Sequence, residues 1–116
     1  MRAYESLGGN DVEKYAWMAR IKPGQREEYE RRHREIWPEL TALLKQAGIE
    51  NYTIWTDGDV LFGYYECSKG VAYAAQTQAQ SEIVERWNEY MKDVMEMPLD
   101  PVTHAQPRLE QVFSLD

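Results

Sequence analysis

The chain has 116 residues, close to the usual size of one domain, so a single hydrophobic core and no second module are expected. Thirteen basic against twenty acidic side chains give a formal charge of −7 and a pI near 4.8, which argues against nucleic acid or an anionic membrane surface as a partner. The longest apolar stretches, such as Val60–Tyr65, fall far short of the roughly 18 residues of a membrane span. Met1–Asn10 lacks the apolar core of a signal peptide, and the single cysteine, Cys67, excludes an intrachain disulfide, so a cytoplasmic protein is expected.

Residues 1–13 are polar, contain Gly8–Gly9–Asn10 and show no sustained period, which predicts a flexible tail ahead of one domain over 14–116. From Lys14 to Lys22, Tyr15, Trp17, Ala19 and Ile21 alternate with Ala16, Met18 and Arg20, the period of a strand, and Pro23–Gly24 ends it. Gln25–Gly48 reads as a helix whose stripe holds Tyr29, His33, Ile36, Trp37, Leu40, Leu43, Leu44 and Ala47, kinked or split at Pro38. Its acidic and basic residues form i,i+4 pairs, Glu27–Arg31, Glu28–Arg32 and Glu30–Arg34, on an exposed face. Asp57–Gly58 between Ile49–Thr56 and Asp59–Cys67 signals a β-hairpin. Helices are expected over Gly70–Gln80 and, behind a Ser81 N-cap, over Glu82–Glu96. Met97–Pro107 holds three prolines and reads as a functional loop or an arm onto a partner, and Arg108–Leu115 alternates as a last strand.

The order β-α-β-β-α-β matches the ferredoxin-like split βαβ motif, an α+β fold with helices on one face of a four-stranded antiparallel sheet. Strand residues are apolar on both faces, Trp17 with Met18 and Tyr64 with Tyr65, so the other face calls for a ligand cavity or a second subunit.

Dinucleotide, P-loop, GxSxG, HExxH and CxxC motifs are absent. The two histidines have no metal-ligand spacing, so no metal and no cofactor are expected. Cys67 reads as a small buried hydrophobe and His104 as a solvated loop residue. His33 differs, because it stands inside an apolar helical stripe between Tyr29 and Trp37 at i±4. It is either a satisfied structural histidine or a general acid or base titrating near neutrality. Most aromatics are Tyr or Trp, 8 and 4 against 2 Phe, which suits packing as well as a site needing apolar faces and polar tips together.

The segment Glu28–Leu40, EYxRRHxxIWPEL, resembles the signature of the L-rhamnose mutarotase family. Asn51–Trp55 looks like that family's NYxIY strand, Arg86–Trp87 with Tyr90–Met91 and Asp93–Met95 like its RWWxYMxDVM helix, and Leu109–Phe113 like its C-terminal strand. The resemblance spans roughly 15–115 and implies a homodimer, a dimeric α/β barrel of ferredoxin-like subunits. It further implies interconversion of the α and β anomers of L-rhamnopyranose in rhamnose catabolism, with His33 catalytic and Tyr29, Tyr52, Trp87 and Asn88 contacting the sugar. The family commonly has two adjacent tryptophans where this chain has Trp87–Asn88, and an amide in place of an aromatic face alters which hydroxyls can be held.

Mutarotation needs a proton at the ring oxygen and another taken from the anomeric hydroxyl, and neither metal nor redox cofactor is required. Protonation of the ring oxygen calls for His33 as imidazolium, supported by a nearby carboxylate. Two other functions fit such a cavity: a cofactor-independent oxygenase of the dimeric α/β barrel type, and a non-enzymatic sugar- or metabolite-binding module.

Overall fold

The computed structural model describes residues 12–99 and 106–115. The chain runs β1 (Glu13–Ile21), α1 (Arg26–Arg34), α2 (Pro38–Gln46), β2 (Ile49–Asp57), β3 (Val60–Cys67), α3 (Val71–Ala79), α4 (Glu82–Met91) and β4 (Met95–Glu96). The strands form one antiparallel sheet in the order β2-β3-β1-β4, the ferredoxin-like arrangement expected from the sequence. Most of the predicted tail and of the Met97–Pro107 segment, with His104, lies outside the described residues. β1 begins at Glu13, whose carboxylate accepts the Val71 backbone N–H at the start of α3.

Alternation decides the faces. Tyr15, Trp17, Ala19 and Ile21 of β1 and Leu61, Tyr65 and Cys67 of β3 are buried beneath the helices with Tyr29, Ala47, Ile49, Ala74, Met91, Val94 and Met95. On the opposite face, Met18, Phe62 and Trp55 stand in register across three strands and are 47%, 42% and 67% exposed. The hairpin forms as expected, with Asp57 paired to Val60 and Gly58–Asp59 as the two turn residues; Gly58 alone has positive φ, +60°, the pattern of a type II′ turn.

The predicted Gln25–Gly48 helix is two helices. Trp37 is extended (φ −64°, ψ 130°), as a residue before proline must be, and Pro38 opens α2, where its missing N–H costs nothing. Ser81 caps α4 as expected, its hydroxyl accepting from Val84 N–H at 3.2 Å.

Two expectations are corrected. The helix from Glu82 ends at Met91, not Glu96, and Met95–Glu96 pair with Ile21–Arg20 as β4. Val94 and Met95 continue the helical spacing in the sequence and are buried in the structure, so the apolar stripe carries no mark of the helix end. Arg108–Leu115 is not a strand of this sheet: Leu109 N–H bonds to Ala16 C=O at 2.7 Å, and no ladder follows. The segment reaches the free edge of β1 and runs past it, leaving Val112, Phe113 and Leu115 exposed.

The ion pairs on α1 also differ from simple i,i+4 pairing. Arg32 pairs with Glu28 as expected, but it also reaches Asp93 at 2.8 Å and the Tyr90 carbonyl at 2.6 Å, and its guanidinium lies over the Tyr90 ring. Arg31 pairs with Glu28 and Glu35, and Arg26 with Glu30. Arg32 thus fastens α1 to the C-terminal end of α4, and the other pairs lie along α1 alone.

Candidate active site

A cavity of about 290 Å³ lies between the inner face of the sheet and the helices. It is therefore on the helix-covered side, and the apolar outer face of the sheet holds no part of it. All five residues singled out from the sequence line it: Tyr29 and His33 from α1, Tyr52 from β2, and Trp87 and Asn88 from α4. Trp37 does not; it stands behind Trp87, their rings perpendicular with centroids 5.1 Å apart, and also contacts Tyr90.

The helical period brings His33 over Tyr29, ring centroids 4.3 Å apart, while Trp87 meets the imidazole edge-to-face at 5.5 Å. His33 Nδ1 lies 3.1 Å from the Tyr29 carbonyl oxygen. A carbonyl only accepts, so Nδ1 carries the proton and Nε2 is left with its lone pair for a ligand. Burial lowers the His33 pKa below 6.5, and the bond to the Tyr29 carbonyl offsets this in part. The resting residue at neutral pH is thus the neutral imidazole. The expected imidazolium beside a carboxylate is not found: no Asp or Glu is among the described residues that line the cavity.

Tyr52 reaches the cavity through a β-bulge. Glu50 pairs with Glu66 and Thr53 with Tyr64, so Asn51 and Tyr52 together oppose Tyr65. Asn51 takes φ +51°, and its amide donates to Glu66 at 2.8 Å. The extra residue lets Ile49 and Tyr52, which strict alternation would place on opposite faces, both point inward. The Tyr52 ring lies 4.8 Å from Tyr65, and its hydroxyl accepts from Trp17 Nε1–H at 3.2 Å. Burial pushes the Tyr52 hydroxyl up to about 12, with the Trp17 N–H opposing; burial, then Tyr52 itself, raises Tyr29 further.

Several lining residues were not apparent as site residues in the sequence. Trp17 looks like core; Thr41, Gln78 and Gln106 add neutral polar groups; Ile36, Leu40, Leu44, Ile54 and Val84 form an apolar wall. Met97 and Gln106, the described ends of the proline-rich segment, border the cavity too. Neutral hydrogen-bonding groups, aromatic faces and an apolar wall around one imidazole suit a small uncharged polyol with an apolar substituent, and the volume is at the lower end of the roughly 300–1,000 Å³ usual for small-molecule sites.

A family model described as L-rhamnose mutarotase matches residues 14–115. An L-rhamnose mutarotase of Leptothrix cholodnii is 41% identical over 107 residues, covering 90% of this chain and 98% of the relative. One from Bacteroides thetaiotaomicron is 37% identical over 107 residues, covering 90% of this chain and all of the relative. The crystal structure of an L-rhamnose mutarotase from Formosa agariphila superposes with a TM-score of 0.72 at 33% identity, covering 90% of this chain and 99% of that one.

Proposed function

The chain belongs to the L-rhamnose mutarotase family, and from that membership we propose that His33 carries a proton between the two oxygens of the anomeric carbon while Tyr29, Tyr52, Trp87 and Asn88 hold the sugar. The protein is an isomerase, and its reaction is the interconversion of the α and β anomers of L-rhamnopyranose.

The observation that carries the assignment is the commitment of His33 Nδ1 to the Tyr29 carbonyl, which leaves Nε2 as a base within the cavity. Nε2 takes the proton of the anomeric hydroxyl as the bond between C1 and the ring oxygen breaks and C1 becomes a carbonyl. The imidazolium then returns that proton to the former ring oxygen. Both oxygens belong to C1, so one nitrogen serves both without travelling. Rotation about C1–C2 presents the other carbonyl face, and the same two transfers in reverse close the ring as the opposite anomer. Protons balance and nothing is oxidised or reduced. One positioned acid–base group contributes roughly 10²–10⁴-fold, enough for a reaction that already runs slowly in water.

Trp87 and the two tyrosine rings meet the C–H faces of the sugar, and the apolar wall of Ile36, Leu40 and Leu44 receives the 6-deoxy methyl group. Asn88, with two donors and an acceptor, selects among hydroxyl configurations. Saturation-transfer NMR at the two anomeric protons of L-rhamnose tests the reading, with L-fucose and D-glucose in parallel. Selective acceleration of rhamnose exchange by the wild type, lost in a folded His33→Ala, is expected; near-normal exchange by that variant would remove His33 from the chemistry.

The working unit is a homodimer. This is supported by the Met18–Phe62–Trp55 row on the uncovered sheet face and by a C-terminal segment with strand alternation but no partner strand among the described residues. No helix among the described residues is long and apolar enough to cross a membrane, and the single, buried Cys67 supports a reducing, cytoplasmic setting.

A further inference from the structure

The inner sheet face holds a polar contact that the assignment above does not use. Trp17 is 1% exposed, and its one polar atom, Nε1, points at the Tyr52 hydroxyl across the sheet. An indole nitrogen only donates, whereas a phenol oxygen both donates and accepts. The direction of this bond is therefore fixed: Tyr52 accepts from Trp17, and the phenol proton must go elsewhere. No described residue takes it, and Tyr52 lines the cavity.

The surrounding backbone is shaped for this contact. Gly63, in register with Trp17 on β3, has no room for a side chain: a Cβ there would fall 2.0 Å from Trp17 Cε2 and 2.3 Å from Nε1. Glycine lets the indole lie across the strand toward β2. From the other side, the bulge at Asn51 turns Tyr52 inward to meet it. Two local departures from a regular sheet thus converge on one hydrogen bond.

We propose that Trp17 is a positioning residue: by donating to the Tyr52 oxygen it turns the phenol proton into the cavity as a fixed donor for the ring oxygen of the sugar. The match is chemical. Every hydroxyl of a pyranose can donate as well as accept, but the ring oxygen carries no proton and can only accept. It is also the atom on which negative charge grows as the ring opens, so a donor fixed there favours the transition state over the ground state. Tyr52 keeps its own proton throughout; the transferred proton is the one His33 carries. The proposal rests on the mutarotase reading, and it adds a residue that acts through the Tyr52 hydroxyl.

A double-mutant cycle tests it, with anomer exchange of L-rhamnose measured for wild type, Trp17→Phe, Tyr52→Phe and the double variant, each first shown to be folded. Trp17→Phe keeps a six-membered aromatic ring and removes the pyrrole ring that carries the N–H. Loss of one hydrogen bond of ordinary strength predicts a fall in kcat of about threefold to tenfold, with KM changed less. In the Tyr52→Phe background the same substitution should cost nothing further, because the hydroxyl it orients is gone. An equal loss in both backgrounds would mean that Trp17 acts by packing alone, and an undiminished kcat in Trp17→Phe would equally overturn the proposal. The Trp17 indole N–H resonance in a ¹⁵N–¹H spectrum supplies a readout free of catalysis. It should move in Tyr52→Phe without sugar, and an unmoved resonance would overturn the contact whatever the activity. A wild type that exchanges no rhamnose anomers would instead overturn the mutarotase reading beneath it.

Discussion

The Tyr29 carbonyl accepts a hydrogen bond from His33 Nδ1 at 3.1 Å, one turn along the same helix, and so fixes both the tautomer and the ring orientation of the imidazole. In the proposed reaction the working form is the neutral one, and burial places the His33 pKa below 6.5. Exchange activity is therefore expected to be flat at neutral pH and to fall on acidification, with its midpoint below 6.5, as Nε2 gains a proton. The same shift has a stability consequence. The folded state resists protonation of His33, so its contribution is complete above pH 6.5 and is lost as pH falls toward the folded-state value. A rate–pH profile that instead rose on acidification through this range would show that imidazolium is the active form.

Gly63 and Trp17 make a second test. A methyl group added at 63 would overlap the indole, and the neighbouring strands β1 and β2 prevent retreat. Gly63→Ala is expected to destabilise by about 1–3 kcal/mol, the usual cost of overpacking a filled core. Thermal denaturation in the wild-type background and in Trp17→Leu separates the causes. Most of the loss should disappear when the indole is absent, and an equal loss in both backgrounds would place the strain in the strand backbone.

These two sites differ in how far they could be read from the sequence. Tyr29 and His33 are four residues apart on one helix, and the period of 3.6 fixes their contact without any knowledge of the rest of the fold. Tyr52 is different, because simple alternation from Ile49 turns it outward, and only pairing against β3 reveals that Asn51 is an extra residue. Trp17, Gln78 and Gln106 share the cavity, yet nothing in their local pattern separates them from core or loop. The C-terminal segment fails in another way. Its alternation at Leu109, Gln111, Phe113 and Leu115 is that of a strand, but a strand needs a partner, and among the described residues its one backbone bond to β1 is Leu109 N–H to Ala16 C=O.

Arg32 links the site to acid stability. Its guanidinium holds the Asp93 carboxyl below the usual range, and Arg31 followed by Arg32 holds Glu28 at about 2. Both carboxylates therefore contribute stability that is complete above their ordinary pKa values, near 4, and is lost as pH falls toward 2. Arg32→Met removes the partner of Asp93 and one of the two partners of Glu28. Melting temperature measured from pH 7 to pH 2 should fall less steeply in this variant, because less of its stability depends on ionised carboxylates. It should also lose activity at pH 7, since α4 carries Trp87 and Asn88 and Arg32 ties its end to the helix of His33. Parallel melting curves for the two proteins would show that the network contributes nothing to acid stability.

The outer sheet face sets the last test. Phe62 sits at the centre of the row, directly between Met18 and Trp55, and it makes no part of the inner core or of the cavity. A lysine there leaves the subunit fold intact, since a side chain already 42% exposed can direct an ammonium group to water. In a dimer formed through this face the same residue from each subunit would lie near the symmetry axis, so two like charges would be desolvated close together. Phe62→Lys is therefore expected to convert a dimer into a folded monomer, read by sedimentation velocity at micromolar concentration with circular dichroism to confirm the fold. A variant that stayed dimeric would move the interface elsewhere, with the exposed Val112, Phe113 and Leu115 segment the next surface to alter. A wild type that sedimented as a monomer would refute the dimer itself.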